Sequence, residues 1–201
     1  HRPGPAAEDF EAINCLIDFA RESRAYIASR AESKKPFFLY VPLTSPHTPI
    51  VPSKKWQGKS GLGTYGDFLM ETDWVVGEVL AELDQQKLAD NTIVIFMSDH
   101  GEMLGDHGFY LKGPHFYDEA VRVPLIISWK DRIQSEVRAD CLMELIDIAP
   151  TLLEASGIDI PDYIQGRSLM PILLGQAPAD RHRDYVFSEY YNCLLYTSPS
   201  P

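Results

Sequence analysis

The chain has no apolar run near the roughly 20 residues that a membrane-spanning helix needs, so no such span is expected. Its strongest runs, Phe37 to Leu43 and Thr92 to Met97, have the length of strands. Positive charge is in deficit. There are 18 Lys and Arg against 29 Asp and Glu, and the net charge is −11. That balance argues against a nucleic-acid binder, which carries a basic patch or stripe. It still permits an anionic small substrate, because a bound cation and a few basic side chains reverse the local field. Cysteine is scarce. Cys15, Cys141 and Cys193 form no C-x-x-C and no zinc-ligand spacing, and they read as unpaired or buried thiols. Their odd count says nothing for or against an oxidising compartment. The first residue is His1, and the first residues show no signal-peptide pattern. Since a true start could lie upstream, that absence leaves the compartment open. No internal repeat and no interdomain linker interrupt the chain.

What is present suits one sizeable core: 201 residues, 45% of them hydrophobic and 23% charged. Phe10, Ile13, Leu16, Ile17, Ala20 and Ile27 recur at helical spacing, so Glu8 to Ala31 is expected to be a helix, stopped by Pro36. Phe37 to Leu43 is then a buried strand. Thr44 to Gly66, rich in Ser, Pro, Gly and Lys, is a long loop of the kind that is functional or disordered. Phe68, Leu69, Thr72, Val75, Val76, Val79, Leu80 and Leu83 mark an amphipathic helix with Asp67 as its N-cap. Asn91 to Ser98 is the clearest strand, and its near-continuous apolar run predicts cover on both faces, as in a parallel sheet. Pro124 to Trp129 is another strand. Asp147 to Ser156 is a helix closed by Gly157. Arg183 to Tyr191 is a final strand. The order of elements predicts an α/β architecture.

The chemistry concentrates in SDHGEMLGDHG, Ser98 to Gly108, directly after the clearest strand. Ligands of open α/β sheets bind outside the carboxyl ends of strands. Asp99 offers carboxylate oxygens and His100 an imidazole nitrogen, both good donors to a divalent cation. Gly101 lets the backbone turn away. The plain alternative is a polar turn in which Asp99 caps a helix and His100 meets solvent. Lys112, in LKGP, could hold an anionic oxygen, or it could be a solvated surface lysine. His47, in SPHTP, follows the Phe37 to Leu43 strand and has either a site role or a merely structural one.

Together these clusters resemble the sulfatase family of the alkaline phosphatase-like superfamily. The resemblance runs from about Pro36 to Tyr190. FFLYVPLTSPHTPI, GEVLAEL, NTIVIFMSDHGEMLGDHG, KGPHFYDEAVRVPLII, LIDIAPTLLEASGI and GRSLMPILLG carry it. It implies a partial alkaline phosphatase-like sandwich with a mostly parallel central sheet flanked by helices. It implies hydrolysis of a small-molecule or glycan sulfate ester, with phosphodiester or phosphonate monoester hydrolysis as the runner-up. Asp99 and His100 match two metal ligands, for Ca²⁺ or another divalent cation such as Mn²⁺ or Mg²⁺. Lys112 matches the lysine that contacts a sulfate oxygen. His47 matches the histidine on the leaving-group side, able to act as general acid. Asp106 and His107 are expected to support the pocket, and His115 to line the cleft or to serve structure. Members of this family are often exported, periplasmic or lysosomal.

One departure stands out. Family members convert a cysteine or serine in C/S-x-P/A-x-R to formylglycine, and no such motif occurs here. The paired aspartates of the family's first strand are absent as well. The expectation is therefore a fragment: residues 1–193 as part of a catalytic domain whose N-terminal part is missing, and residues 194–201, LLYTSPSP, as a non-native tail. A naturally short, non-catalytic anion-binding domain is the other reading.

Overall fold

The computed structural model describes Glu8 and residues 10–190. The chain divides into two compact units, residues 1–91 and 92–201.

In the first unit, a short 3₁₀ turn at Ala12–Asn14 leads into α1, Cys15–Arg30. Leu16, Ala20, Ser23 and Ile27 fall on one stripe and are buried. A second helix, α2, spans Gly63–Gln85 and packs along α1. Leu16 and Ala20 of α1 meet Phe68 and Val75 of α2 in the core, with Phe19, Leu43, Ile50 and Trp74 around them. Arg24 of α1 donates to Glu78 at 2.8 Å and to the buried Glu82 at 3.1 Å. Burial works against ionisation of Glu82, but the Gln86 amide and Arg24 outweigh it and hold the carboxyl below its usual range.

Asp67 is not the N-cap of α2. The helix begins four residues earlier, at Gly63, and the Asp67 carboxylate is turned onto the preceding loop. It accepts the amides of Gly58 and Ser60 at 2.7 and 2.8 Å and the Ser60 hydroxyl at 2.8 Å. One turn on, Glu71 accepts the Ser53 amide at 2.8 Å. Two buried carboxylates thus fix the course of a surface loop.

Phe37 to Leu43 is extended but pairs with no strand among the described residues. Its side chains alternate: Phe37, Leu39, Val41 and Leu43 are half-buried, whereas Phe38 and Tyr40 are 74% and 75% exposed. The strand pattern is real in periodicity, but no ladder accompanies it.

In the second unit, β1 spans Val94–Met97 and β2 spans Leu125–Ser128. They pair antiparallel, with Val94 opposite Ser128 and Met97 opposite Leu125. This is the only sheet among the described residues, so the expected mostly parallel sheet is not what they form. A parallel return needs a crossover, usually a helix. Between β1 and β2 lie only a 3₁₀ turn, Asp106–Gly108, and α3, the single turn Asp118–Val121. The two helices that follow are α4, Ile148–Ala155, and α5, Met170–Leu173. Gly157 ends α4 at a φ of 69°, a left-handed conformation that a glycine adopts without penalty.

No strand forms over residues 183–190, and Tyr191 lies outside the described residues. Side chains capture this segment instead. Arg183 forks onto Glu144 and Asp147, and the Phe187 amide donates to Glu144 at 2.6 Å. Asp147, fully buried, also accepts the amides of Glu144 and Arg167 at 2.9 and 2.8 Å. Cys193 and residues 194–201 also lie outside the described residues.

Candidate active site

Asp99 and His100 occupy the first turn after β1, and Ser98 shapes it by donating its hydroxyl to the His100 carbonyl at 2.8 Å. The His100 amide donates to Asp99 Oδ1 at 2.9 Å. His100 Nδ1 lies 2.8 Å from the Gly101 carbonyl oxygen. A carbonyl only accepts, so Nδ1 carries the proton and donates it there. In the neutral ring that leaves Nε2 with a free lone pair, and Nε2 faces Asp99 Oδ2 at 3.5 Å.

A lone pair facing a carboxylate oxygen suits a cation between them. A metal-ligating histidine characteristically ties its other ring nitrogen to a carbonyl. The Asp99 side chain is 84% exposed, so its oxygens are accessible. Burial works against its charged form, but the hydrogen bonds from the His100 amide and the Ser98 hydroxyl help bring its pKa below the usual carboxylate range. The two residues fit part of a ligand set and no more. Among the described residues no three His, Cys, Asp or Glu side chains converge as a metal cluster. Ca²⁺ takes about six to eight oxygens.

Gly101 holds the turn close to α3. Its amide donates to the Ala120 carbonyl at 2.8 Å, and a Cβ there would lie 1.8 Å from the Glu119 carbonyl oxygen. Sequence reasoning missed Glu119, since nothing in the sequence signals a contact 18 residues away.

Lys112 is exposed and has no hydrogen bond or ion pair among the described residues. His107 sits in the turn Asp106–Gly108 at a φ of 54°. Its ring stacks on Tyr117 at 4.0 Å, with Nε2 3.5 Å from Glu119 Oε2. His115 stacks on Phe109 at 4.4 Å. Both histidines therefore have ring partners that shape the loop carrying Lys112.

His47 belongs to the first unit. Its amide donates to the Thr44 carbonyl at 3.2 Å, and Nδ1 donates to the Thr48 carbonyl at 2.7 Å. Nε2 is then the ring nitrogen left to meet a ligand. Ser45, two residues earlier, touches Thr72 of α2 at 2.5 Å, which anchors the loop. Of the cysteines, Cys15 and Cys141 are free thiols. Burial pushes the Cys141 thiol above its usual range, which makes it a poor nucleophile.

A family model described as Sulfatase matches residues 17–158. The chain belongs to the sulfatase family. Human arylsulfatase H is 35% identical over 190 residues, which cover 88% of this chain and 33% of that protein. A sulfatase from Pseudoalteromonas sp. superposes with a TM-score of 0.73 at 28% identity, over 85% of this chain and 37% of that one. The phosphonate monoester hydrolase of Silicibacter pomeroyi reaches 0.54 at 37% identity, over 58% and 23%. The chain spans about a third of the length of the curated relatives it matches. The Pseudoalteromonas neighbour is a sulfatase, and the architecture of this chain is α/β, as expected.

Proposed function

We propose that this chain is part of a sulfatase catalytic domain and that it supplies one side of a sulfate-ester site. The observation that carries the reading is the Asp99–His100 pair. It presents a carboxylate oxygen and a ring nitrogen to one point at the carboxyl end of β1, in a chain of the sulfatase family. The match to a third of its relatives' length, and the lack of C/S-x-P/A-x-R, support a part rather than a whole enzyme.

Asp99 Oδ2 and His100 Nε2 would hold a divalent cation, Ca²⁺ or a similar ion. When bound, such a cation supplies Lewis-acid polarisation of the ester oxygens. The chain's own groups do the rest. Lys112 Nζ, without a hydrogen bond or ion pair among the described residues, donates to a sulfate oxygen on which charge grows. In the first unit, taken by itself, the Thr48 carbonyl holds His47 Nδ1, and the family resemblance makes Nε2 the general-acid candidate. A glycan or other small sulfate ester is the substrate class.

The phosphonate monoester reading keeps its place because a hydrolase of that class shares the fold over 58% of this chain. Its shorter overlap makes it second. The test is a chimera in which this chain replaces the matching third of a related sulfatase. Calcium content and turnover of an aryl sulfate and an aryl phosphonate are measured side by side. Asp99→Ala should lower both bound calcium and aryl sulfate turnover. Preferred turnover of the phosphonate would establish the runner-up. Unchanged metal content in the Asp99→Ala chimera would refute the site.

A further inference from the structure

Lys112 stands at the middle of a symmetrical arrangement of rings. His107 and Tyr117 lie five residues before and after it, and Phe109 and His115 three before and after. The outer two stack on each other, with centroids 4.0 Å and planes 13° apart. The inner two stack likewise, at 4.4 Å and 29°. Tyr117 lies 6.5 Å from Phe109 and 6.1 Å from His115, so the two pairs adjoin. Among the described residues no backbone hydrogen bond joins 107–109 to 115–117. The ring pairs take the place of the ladder that closes a hairpin.

Both arms of the loop are anchored. On the first, the Gly105 amide donates to the Phe109 carbonyl at 2.8 Å, and the Asp106 amide to the carbonyl of the fully buried Met103 at 2.8 Å. On the second, the Tyr117 carbonyl accepts the amides of Ala120 and Val121 at 2.9 and 3.1 Å as α3 begins. Glu119 lies across the base. Its Oε2 is shielded from solvent, has no hydrogen bond among the described residues and faces His107 Nε2 at 3.5 Å. The Glu119 carbonyl is the group against which Gly101 packs, beside the Asp99–His100 turn. At the tip, a Cβ on Gly113 would lie 3.5 Å from His115 Cδ2, so the residue after Lys112 rests close to the inner ring pair.

We propose that the two ring pairs are a positioning brace for Lys112, which fixes where its ammonium reaches relative to the Asp99–His100 turn. Lys112 is exposed and makes no hydrogen bond or ion pair among the described residues, so the loop backbone sets its direction. A donor to developing charge works best when it is held in place beforehand. A displacement of about 1 Å can cost about 10²-fold in rate. The four rings act through Lys112 and are not themselves catalytic residues. The inference rests on the sulfate-oxygen role proposed above for Lys112, and the two can fail separately.

The test compares Tyr117→Leu, which removes the outer stack, with Tyr117→Phe, which keeps the ring. In the sulfatase chimera that carries this chain, the Leu variant should lose about tenfold in kcat with KM within about twofold, and the Phe variant should stay within about twofold of the parent. In a Lys112→Ala background, Tyr117→Leu should cost less than about twofold, because the residue it acts through is gone. His115→Leu should repeat this pattern from the inner pair, and it replaces Tyr117→Leu if circular dichroism shows that variant unfolded. In the whole chain, the steady-state heteronuclear NOE of the Lys112 amide should match that of α4, fall in Tyr117→Leu and hold in Tyr117→Phe. A loss that persists undiminished in the Lys112→Ala background would be merely structural and would overturn the proposal. So would a Leu variant with the parent's kcat, or an unchanged NOE. A rise in KM with kcat preserved would make the rings a substrate contact instead. If Lys112→Ala alone leaves kcat unchanged, the role of Lys112 fails, and the NOE decides whether the rings brace the loop.

Discussion

The amide of Gly101 donates to the carbonyl of Ala120 at 2.8 Å, and this bond ties the Asp99–His100 turn to the segment that leads into β2. The approach is so close that only a hydrogen fits on the Gly101 α-carbon. Gly101→Ala would drive a methyl into the Glu119 carbonyl, 1.8 Å from the ideal Cβ position. The backbone must shift, at a cost of about 1–3 kcal/mol. Urea denaturation of the variant should show a lower midpoint with an unchanged slope. A midpoint equal to that of the parent chain would mean that the turn and α3 are not held together.

Asp67 makes a pH-dependent contribution. The Ser60 amide and hydroxyl and the Gly58 amide stabilise its charged form, outweighing burial, and lower its pKa from the ordinary 3.8. A group whose folded pKa is depressed contributes stability that is fully present above its unfolded pKa. That contribution is lost as pH falls through the folded value. The stability due to Asp67 should therefore be present at neutral pH and fade below about pH 4. Asp67→Asn should lower the denaturation midpoint at pH 7 and change it much less at pH 2.5. An equal loss at both pH values would show that the effect comes from packing, not charge.

The turn that follows β1 was legible because its signals are local. Thr92 to Met97 announces β1, and the Ser-Asp-His-Gly turn must follow it. Pairing direction is not local. The apolar run predicts cover on both faces, yet Phe96 and Met97 are exposed, and Val94–Met97 would look the same with a parallel or an antiparallel neighbour. The absence of a helix longer than one turn before β2 was the available clue. Asp67 misled for a related reason. An acid ahead of an apolar stripe looks like an N-cap, but the partners that claim its oxygens, Gly58 and Ser60, precede the helix. His115 was left open between cleft and structure because its ring partner, Phe109, is set by the path of the loop. Residues 183–190 carry a short apolar run, Tyr185 to Phe187, that suggests a strand, yet Glu144 and Asp147 take donors of this segment.

The Arg183 fork should dominate the stability of the second unit's last segment. Arg183, Glu144 and the fully buried Asp147 form one charged cluster, with the His182 ring 3.3 Å from Asp147. Arg183→Ala removes the guanidinium and leaves two carboxylates without it. Breaking a buried pair from one side costs about 3–5 kcal/mol. Arg183→Lys restores the charge but not the fork, and should recover only part of the loss. Thermal and urea melts of both variants check this order. Equal stability of the Ala and Lys variants would show that charge contributes nothing to the clasp.

Lys112 gives the sharpest kinetic prediction, in the sulfatase chimera that carries this chain. It is exposed on a loop shaped by two histidine stacks, and no protein group among the described residues claims its ammonium. If it meets charge that grows on the ester oxygens, its loss falls on the transition state rather than on ground-state binding. One preorganised donor is worth about 2.7–4 kcal/mol, so Lys112→Ala should lower kcat roughly 10²- to 10³-fold and change KM little. A solvated surface lysine behaves differently, since its removal shifts stability by no more than about 0.5 kcal/mol and leaves both constants alone. Steady-state kinetics separates the two, with folding checked by circular dichroism. A rise in KM with kcat preserved would make Lys112 a substrate-holding residue only. No change in either constant would remove it from the site.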